Sequence, residues 1–263
     1  GGDTVSVLDT VTNTITATIG GFTNPSGVAV SPDGTRAYVT NAGGASVSVL
    51  DTATNTITAT IGVDAGPVGV AVSPDGTRAY ITNFSGASVS VLDTDTNTIT
   101  ATIGGFTTPQ AVAVSPDGTR AYITNRGGTT VSVLDTVTNT IIVTIGGFTT
   151  PWGVVVSPDG TRAYVTNSGG TTVSVLDTAT NQVMATIGGF TNPIGVAVSP
   201  DGTRTYVTNY GRGTVSVLDT ASGAGGNGGV GGAGGAVGDG GAGGAGGAGA
   251  PGSDGLAGAT AGA

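Results

Sequence analysis

Short runs of apolar side chains alternating with Thr and Ser fill the chain from Val5 to Leu218, and clusters of Gly, Pro, Asn and Asp interrupt them at close intervals. A period of two over so few residues predicts β-strands, and no stretch carries a helical period. In the stretch Gly27 to Gly62, Gly27–Ser31 is a small, β-branched run, strand A. Pro32-Asp33-Gly34-Thr35 has the residues of a tight turn closed by a left-handed Gly. Arg36–Thr40 reads as strand B, Asn41–Ala45 as a loop and Val47–Leu50 as strand C. Asp51–Asn55 turns the chain again into strand D, Thr56–Ile61. Links this short join neighbours antiparallel, so the four strands form a meander. Strand D alternates Thr with Ile or Ala, as in a sheet half exposed to water. Strand A is apolar on both faces and is expected to be covered on both.

The unit recurs. Leu-Asp-Thr ends at Thr10, Thr52, Thr94, Thr136, Thr178 and Thr220, a spacing of 42 residues without insertion. Ser-Pro-Asp-Gly begins at Ser31, Ser73, Ser115, Ser157 and Ser199. A strict period of this length with four strands per unit predicts an all-β, β-propeller architecture of four-stranded antiparallel blades. A parallel β-helix fits less well, because its coils lack tight antiparallel hairpins. Strands C and D come first (Val5–Leu8, Thr14–Ile19), four complete units follow, and A, B and C close the array over Gly195–Leu218. Thr14–Ile19 could complete the last blade, making five; otherwise the ring is larger, with repeats before Gly1. The chain opens in mid-pattern and reads as a piece of a longer one.

Tyr38-Val39-Thr40-Asn41 and its copies at Tyr164 and Tyr206, each preceded by Ser-Pro-Asp-Gly-Thr-Arg, resemble the YVTN β-propeller repeats; the copies at Tyr80 and Tyr122 read Tyr-Ile-Thr-Asn. The resemblance spans about residues 1–220. It implies a propeller, often seven-bladed, of the kind found in archaeal surface-layer proteins and bacterial secreted or envelope proteins, and hence an extracellular or cell-envelope location. It implies no single activity. From Ala221 the composition changes to Gly-Gly-x triplets, which have little apolar surface to bury. This second segment, 221–263, is similar to the glycine-rich region of mycobacterial PE/PGRS proteins and is read as a flexible tail.

Charge narrows the partners. Every base is Arg and every acid is Asp, and the net charge of −9 disfavours nucleic acid and anionic lipid. No run is apolar enough for a membrane helix. Without Cys or His there is no thiolate site and no imidazole base. The Asp residues recur once per unit, whereas a catalytic centre is singular, so a non-enzymatic binding or structural module is expected, with no cofactor. A lactonase-like hydrolase is the enzyme alternative, on the ground of shared fold alone. Asp93, Asp95 and Asn97 offer alternating oxygen ligands for calcium, but other copies carry Val or Ala in place of Asp95. A hairpin in which Asp93 accepts backbone N–H bonds is the plainer reading. Arg36, Arg78, Arg120, Arg162 and Arg204 are expected to pair with Asp residues of their own or neighbouring hairpins.

The copies differ in two places. After the Tyr-x-Thr-Asn motif stand Ala42, Phe84, Arg126, Ser168 and Tyr210; after the Pro that opens strand A stand Ser26, Val68, Gln110, Trp152 and Ile194. In a meander the B–C and D–A loops share one end, while the nearly constant A–B and C–D turns share the other. The variable end holds aromatic and Arg side chains of the sort that dominate binding interfaces. Phe84, Gln110, Arg126, Trp152 and Tyr210 are therefore the candidate binding residues, for a protein or glycan partner.

Overall fold

A computed structural model of the chain describes residues 2–220; the boundary expected at 220 and the glycine-rich segment lie outside the described residues. All regular structure among the described residues is β. A hairpin of β1 (Thr4–Asp9) and β2 (Thr14–Gly20) comes first. The first complete sheet is β3 (Pro25–Val30), β4 (Arg36–Asn41), β5 (Ser46–Asp51) and β6 (Thr56–Gly62). The second is β7 (Pro67–Val72), β8 (Arg78–Asn83), β9 (Ser88–Asp93) and β10 (Thr98–Ile103). The third is β11 (Pro109–Val114), β12 (Arg120–Asn125), β13 (Thr130–Asp135) and β14 (Thr140–Ile145). The fourth is β15 (Pro151–Val156), β16 (Arg162–Asn167), β17 (Thr172–Asp177) and β18 (Gln182–Ile187). A three-stranded sheet of β19 (Pro193–Val198), β20 (Arg204–Asn209) and β21 (Thr214–Asp219) ends the array. Each sheet is an antiparallel meander in sequence order, as the short links require. Among the described residues no helix is long and apolar enough to cross a membrane.

The turn residues earn their positions by backbone geometry. Gly34 closes the A–B turn at φ 74° and Asn55 the C–D turn at φ 56°, a region that Gly enters freely and Asn more readily than other side chains. A bulge between Val49 and Leu50 opposite β6 recurs in the C–D pairing of the other sheets that have a fourth strand.

Successive sheets pack face to face. Tyr38, Val47 and Val49 of the first sheet meet Ala79, Ile81 and Leu92 of the second, and the same positions meet at the following junctions. Strands β3, β7, β11, β15 and β19 lie against one another in series. These strands were expected to be covered on both faces, but they are only partly so, and the deepest burial lies elsewhere. In the interior sheets the second and third strands are buried along almost their whole length, while the first is mostly half-buried. The reason is position: the second and third strands have a neighbour on each side in the plane and a sheet on each face, whereas the first is a sheet edge.

Of the two arrangements expected for the ends, completion of the last sheet by Thr14–Ile19 does not form. Thr14–Ile19 stays with β1 in its own hairpin, and the last sheet keeps three strands.

Candidate functional site

The Tyr-x-Thr-Asn motif builds the variable end. In the first four copies its Thr is buried and bonds in two directions. Thr40 Oγ1 accepts from the Gly27 N–H of its own sheet at 2.8 Å and donates to the Val68 carbonyl of the next at 3.0 Å. Thr82 Oγ1 donates to the Gln110 carbonyl, Thr124 Oγ1 to that of Trp152 and Thr166 Oγ1 to that of Ile194. Each acceptor is the residue that varies after the strand-opening Pro. Its backbone is thus held by an invariant hydroxyl while its side chain is free to differ.

The other variable series is held in the same manner. The N–H groups of Ala42, Phe84, Arg126, Ser168 and Tyr210 donate to the carbonyls of Asn24, Gly66, Thr108, Thr150 and Asn192 in the D–A loops. The motif's Asn completes the frame: Asn125 Nδ2 donates to Thr130 and Ser132, and its Oδ1 accepts from the Thr107 N–H. Both series of diversified side chains therefore stand on one repeated backbone frame.

Three of the five candidates come together on it. Arg126, from the third sheet, places its guanidinium carbon 4.0 Å from the centre of the Trp152 ring of the fourth and 5.5 Å from the Phe84 ring of the second. Both distances lie within the range of cation–π attraction. Arg126, Trp152 and Phe84 are each half-buried, so the stack still faces water. Gln110 is half-buried in β11, at the position equivalent to Trp152. Tyr210 holds the matching loop position of the last sheet and is 72% exposed; no ring contact joins it to the stack.

Asp64 was not among the candidates and belongs to this end. It stands where the other D–A loops carry Phe22, Phe106, Phe148 and Phe190, all buried. Its carboxylate accepts from Ser88 Oγ at 2.7 Å and from the Ala65 N–H at 2.8 Å. The Ser88 hydroxyl chiefly, then that N–H, lower its pKa. The Ala65 N–H is the group that would otherwise reach the motif's Asn, and Asn83 Oδ1 is left buried without a partner. The signal was legible: Val63-Asp64-Ala65-Gly66 breaks the Gly-Phe-Thr-(Asn/Thr) pattern of the other loops.

The opposite end is uniform and acidic. Of the described Asp residues only Asp3 and Asp64 lie outside it, and Arg126 and Arg212 are the arginines of the variable end. Asp33 accepts from the hydroxyls of Ser31 and Thr35 and from the Thr35 N–H. These bonds, that to Ser31 first, hold its pKa down at about 2. Arg36 Nη1 donates to the Thr94 carbonyl in the next sheet's C–D turn, and Arg78 and Arg120 reach Thr136 and Thr178 likewise. The hydrogen bond thus goes to a backbone carbonyl across the junction, while the guanidinium charge acts on the Asp of its own hairpin, as Arg36 does on Asp33. Equivalent clefts open at this end between neighbouring sheets, of about 400, 510, 530 and 200 Å³. The first is lined by Asp33, Arg36, Tyr38, Asp75 and Thr94. They recur once per junction, which marks them as part of the scaffold.

In the turn Asp93–Asn97, Asp93 Oδ1 accepts from the N–H and the hydroxyl of Thr96, and Asn97 takes a φ of 54°. The same turn forms at Asp135 and Asp177, where Val137 and Ala179 replace Asp95. Among the described residues no group of three or more acidic side chains is arranged to hold a metal ion.

No protein-family model matches the chain, and no curated protein matches it in sequence. Solved structures do resemble it in fold. One is a functionally unknown protein from Desulfotomaculum acetoxidans DSM 771, with a TM-score of 0.75 and 21% identity over 82% of this chain and 72% of that one. Another is the hydrazine synthase of Kuenenia stuttgartiensis, with a TM-score of 0.62 and 23% identity over 76% of this chain and 77% of that one. At such identities the likeness concerns the fold.

Proposed function

We propose that the chain is a non-enzymatic binding module of the cell surface, built as a YVTN-type β-propeller with a PE/PGRS-like glycine-rich tail, and that it engages a protein or glycan partner through its variable end. The supporting observation is the Phe84–Arg126–Trp152 stack. Three sheets contribute one side chain each, on backbone held by bonds that recur from sheet to sheet. Such a frame changes specificity by side-chain replacement without cost to the fold. Aromatic and Arg anchors supply contact area with little entropy to lose, and Gln110, Asp64 and Tyr210 add polar and aromatic contacts around them.

The repeated clefts at the opposite end support a scaffold role there, because a reaction centre needs one asymmetric set of groups. Cell-wall glycan fragments and purified envelope proteins, titrated against the immobilised chain, test the reading. Binding that is lost in Trp152→Ala and in Arg126→Ala, with thermal midpoints within a few degrees of the parent, is the expected result. Binding indifferent to both variants would overturn it. So would turnover of sugar lactones that is abolished by an Asp→Asn change in one cleft.

A further inference from the structure

We infer that the variable end recognises the carboxylate of an acidic sugar, a uronic acid unit of a glycan, through the donors of the Arg126 guanidinium. The inference rests on the reading of that end as the binding face and gives it a ligand class. Arg126 carries a charge where the other sheets have Ala42, Phe84, Ser168 and Tyr210. At the opposite end Arg36, Arg78 and Arg120 each spend Nη1 on a backbone carbonyl of another sheet. Among the described residues the Arg126 guanidinium has no carbonyl or carboxylate partner. It touches the Trp152 and Phe84 rings, and the one hydrogen bond of the residue is made by its backbone N–H.

The rings decide what those donors can do. They hold the charge by cation–π attraction but supply no oxygen acceptor. With the Trp152 ring centre at 4.0 Å and the Phe84 ring centre at 5.5 Å, aromatic carbon replaces part of the water around a half-buried guanidinium. What stays open to solvent is a fork of coplanar N–H groups. A carboxylate matches that fork with two parallel charge-assisted bonds, and each bond is stronger where water is partly excluded.

The surroundings favour a sugar acid over an acidic protein segment. Gln110 follows Pro109, which pairs with Asn125, the residue before Arg126. Its half-buried side-chain amide makes no hydrogen bond among the described residues. An amide offers a donor and an acceptor together, which suits the hydroxyls of a sugar. The half-exposed rings offer apolar surface to the C–H groups of a pyranose. The stack is also narrow, because small side chains, Ala42 and Ser168, stand on either side of Phe84 and Arg126 in the B–C series. That matches one saccharide unit better than the broad patch a protein partner needs. The net charge of −9 repels a dense polyanion, whereas a lone carboxylate is held by the local cation.

The test titrates the full chain with methyl β-D-glucuronide and with methyl β-D-glucoside, which has a hydroxymethyl group in place of the carboxylate. Trp152 emission and calorimetry follow the binding. Saturable binding of the glucuronide, at least about tenfold tighter than the glucoside, is expected from hydrogen bonds to a charged group. This comparison uses the parent chain alone, so it decides the matter even where a variant folds poorly. Arg126→Lys keeps the charge without the fork and Arg126→Gln removes the charge; both should abolish the preference. Arg212→Gln takes a charge from the same end outside the stack and should leave the preference intact. Equal binding of the two sugars, no binding of the glucuronide, a preference that survives Arg126→Gln, or tighter binding of the capped peptide acetyl-Asp-Asp-amide overturns the inference. If envelope components then still bind in a Trp152-dependent manner, the binding-face reading stands and the sugar-acid assignment alone falls.

Discussion

The guanidinium carbon of Arg126 sits 4.0 Å from the centre of the Trp152 ring, across the junction between two sheets. The backbones beneath the pair are fixed independently: the Arg126 N–H donates to Thr108, and the Trp152 carbonyl accepts from Thr124. The frame therefore holds the stack in place, and little side-chain entropy would remain to be lost if it met the proposed partner.

Arg126→Ala should expose the Trp152 ring to water. Trp152 is the single tryptophan, so its emission reads the pair directly and is expected to move to longer wavelength. Loss of a partly exposed cation–π contact costs about 0.5–1 kcal/mol, measured by urea unfolding. Arg126→Lys should lie between, since Lys keeps the charge but not the flat stacking surface. Emission unchanged in both variants would show that the stack does not persist in solution.

Thr124→Val keeps the shape of the side chain and removes a buried hydroxyl that bonds on both sides. The Ala111 N–H and the Trp152 carbonyl lose their partner together. A destabilisation of about 1–3 kcal/mol is expected for polar groups stranded in this way. The loss should be accompanied by a weaker Trp152 signature, because the same bond positions that residue. A change below a few tenths of a kcal/mol would mean that water replaces the hydroxyl.

Much of this frame was legible from periodicity, and the misjudged parts share a cause. Strand order, turn positions and the two unlike ends follow from turn residues and alternation, which are local. The charge pairing of Arg36 with Asp33 was foreseen, but its hydrogen bond to the Thr94 backbone carbonyl was not, because carbonyls leave no mark in a pattern of side chains. The roles of Thr40 and Thr124 were invisible for the same reason, since each reaches a carbonyl 28 residues on. Strand A was expected to be covered on both sides because it is apolar on both faces, but burial follows neighbours in the sheet as well as composition. The meeting of Phe84, Arg126 and Trp152 depends on how adjacent sheets are offset, which no spacing along the chain reveals.

Gly27 marks a second constraint of that offset. A Cβ built there would lie 2.3 Å from the Val68 carbonyl of the next sheet. Gly27→Ala must push two sheets apart, and a loss of about 1–3 kcal/mol is expected from such overpacking. The third sheet already carries Ala111 at the equivalent position, and its N–H bond to Thr124 is 3.0 Å against 2.8 Å for Gly27 to Thr40. Ala111→Gly should therefore change stability by no more than about 1 kcal/mol, the strand cost of Gly. Equal effects from the two changes would remove the carbonyl contact as the explanation.

Acid should weaken the fold in a defined window. The A–B turn carboxylates Asp33, Asp75, Asp117, Asp159 and Asp201 are all held below their ordinary pKa, first by a Ser hydroxyl and then by a Thr N–H. For Asp33 and Asp201 the folded value is about 2, against about 3.9 for an unfolded chain. A folded pKa below the unfolded one means that the unfolded state takes up protons first as pH falls. The stabilisation is complete above the unfolded pKa and is lost as pH drops towards the folded value. No His or Glu side chain is present to titrate at higher pH. The thermal midpoint should thus be nearly flat from about pH 7 to pH 5 and fall between about pH 4 and pH 2. Ser31→Ala removes the main bond to Asp33, so it should shrink the fall in that window and lower the midpoint at neutral pH towards its acid value. A midpoint that declines already between pH 7 and pH 5, or an acid fall unchanged by Ser31→Ala, would show that these turn carboxylates do not govern the acid response.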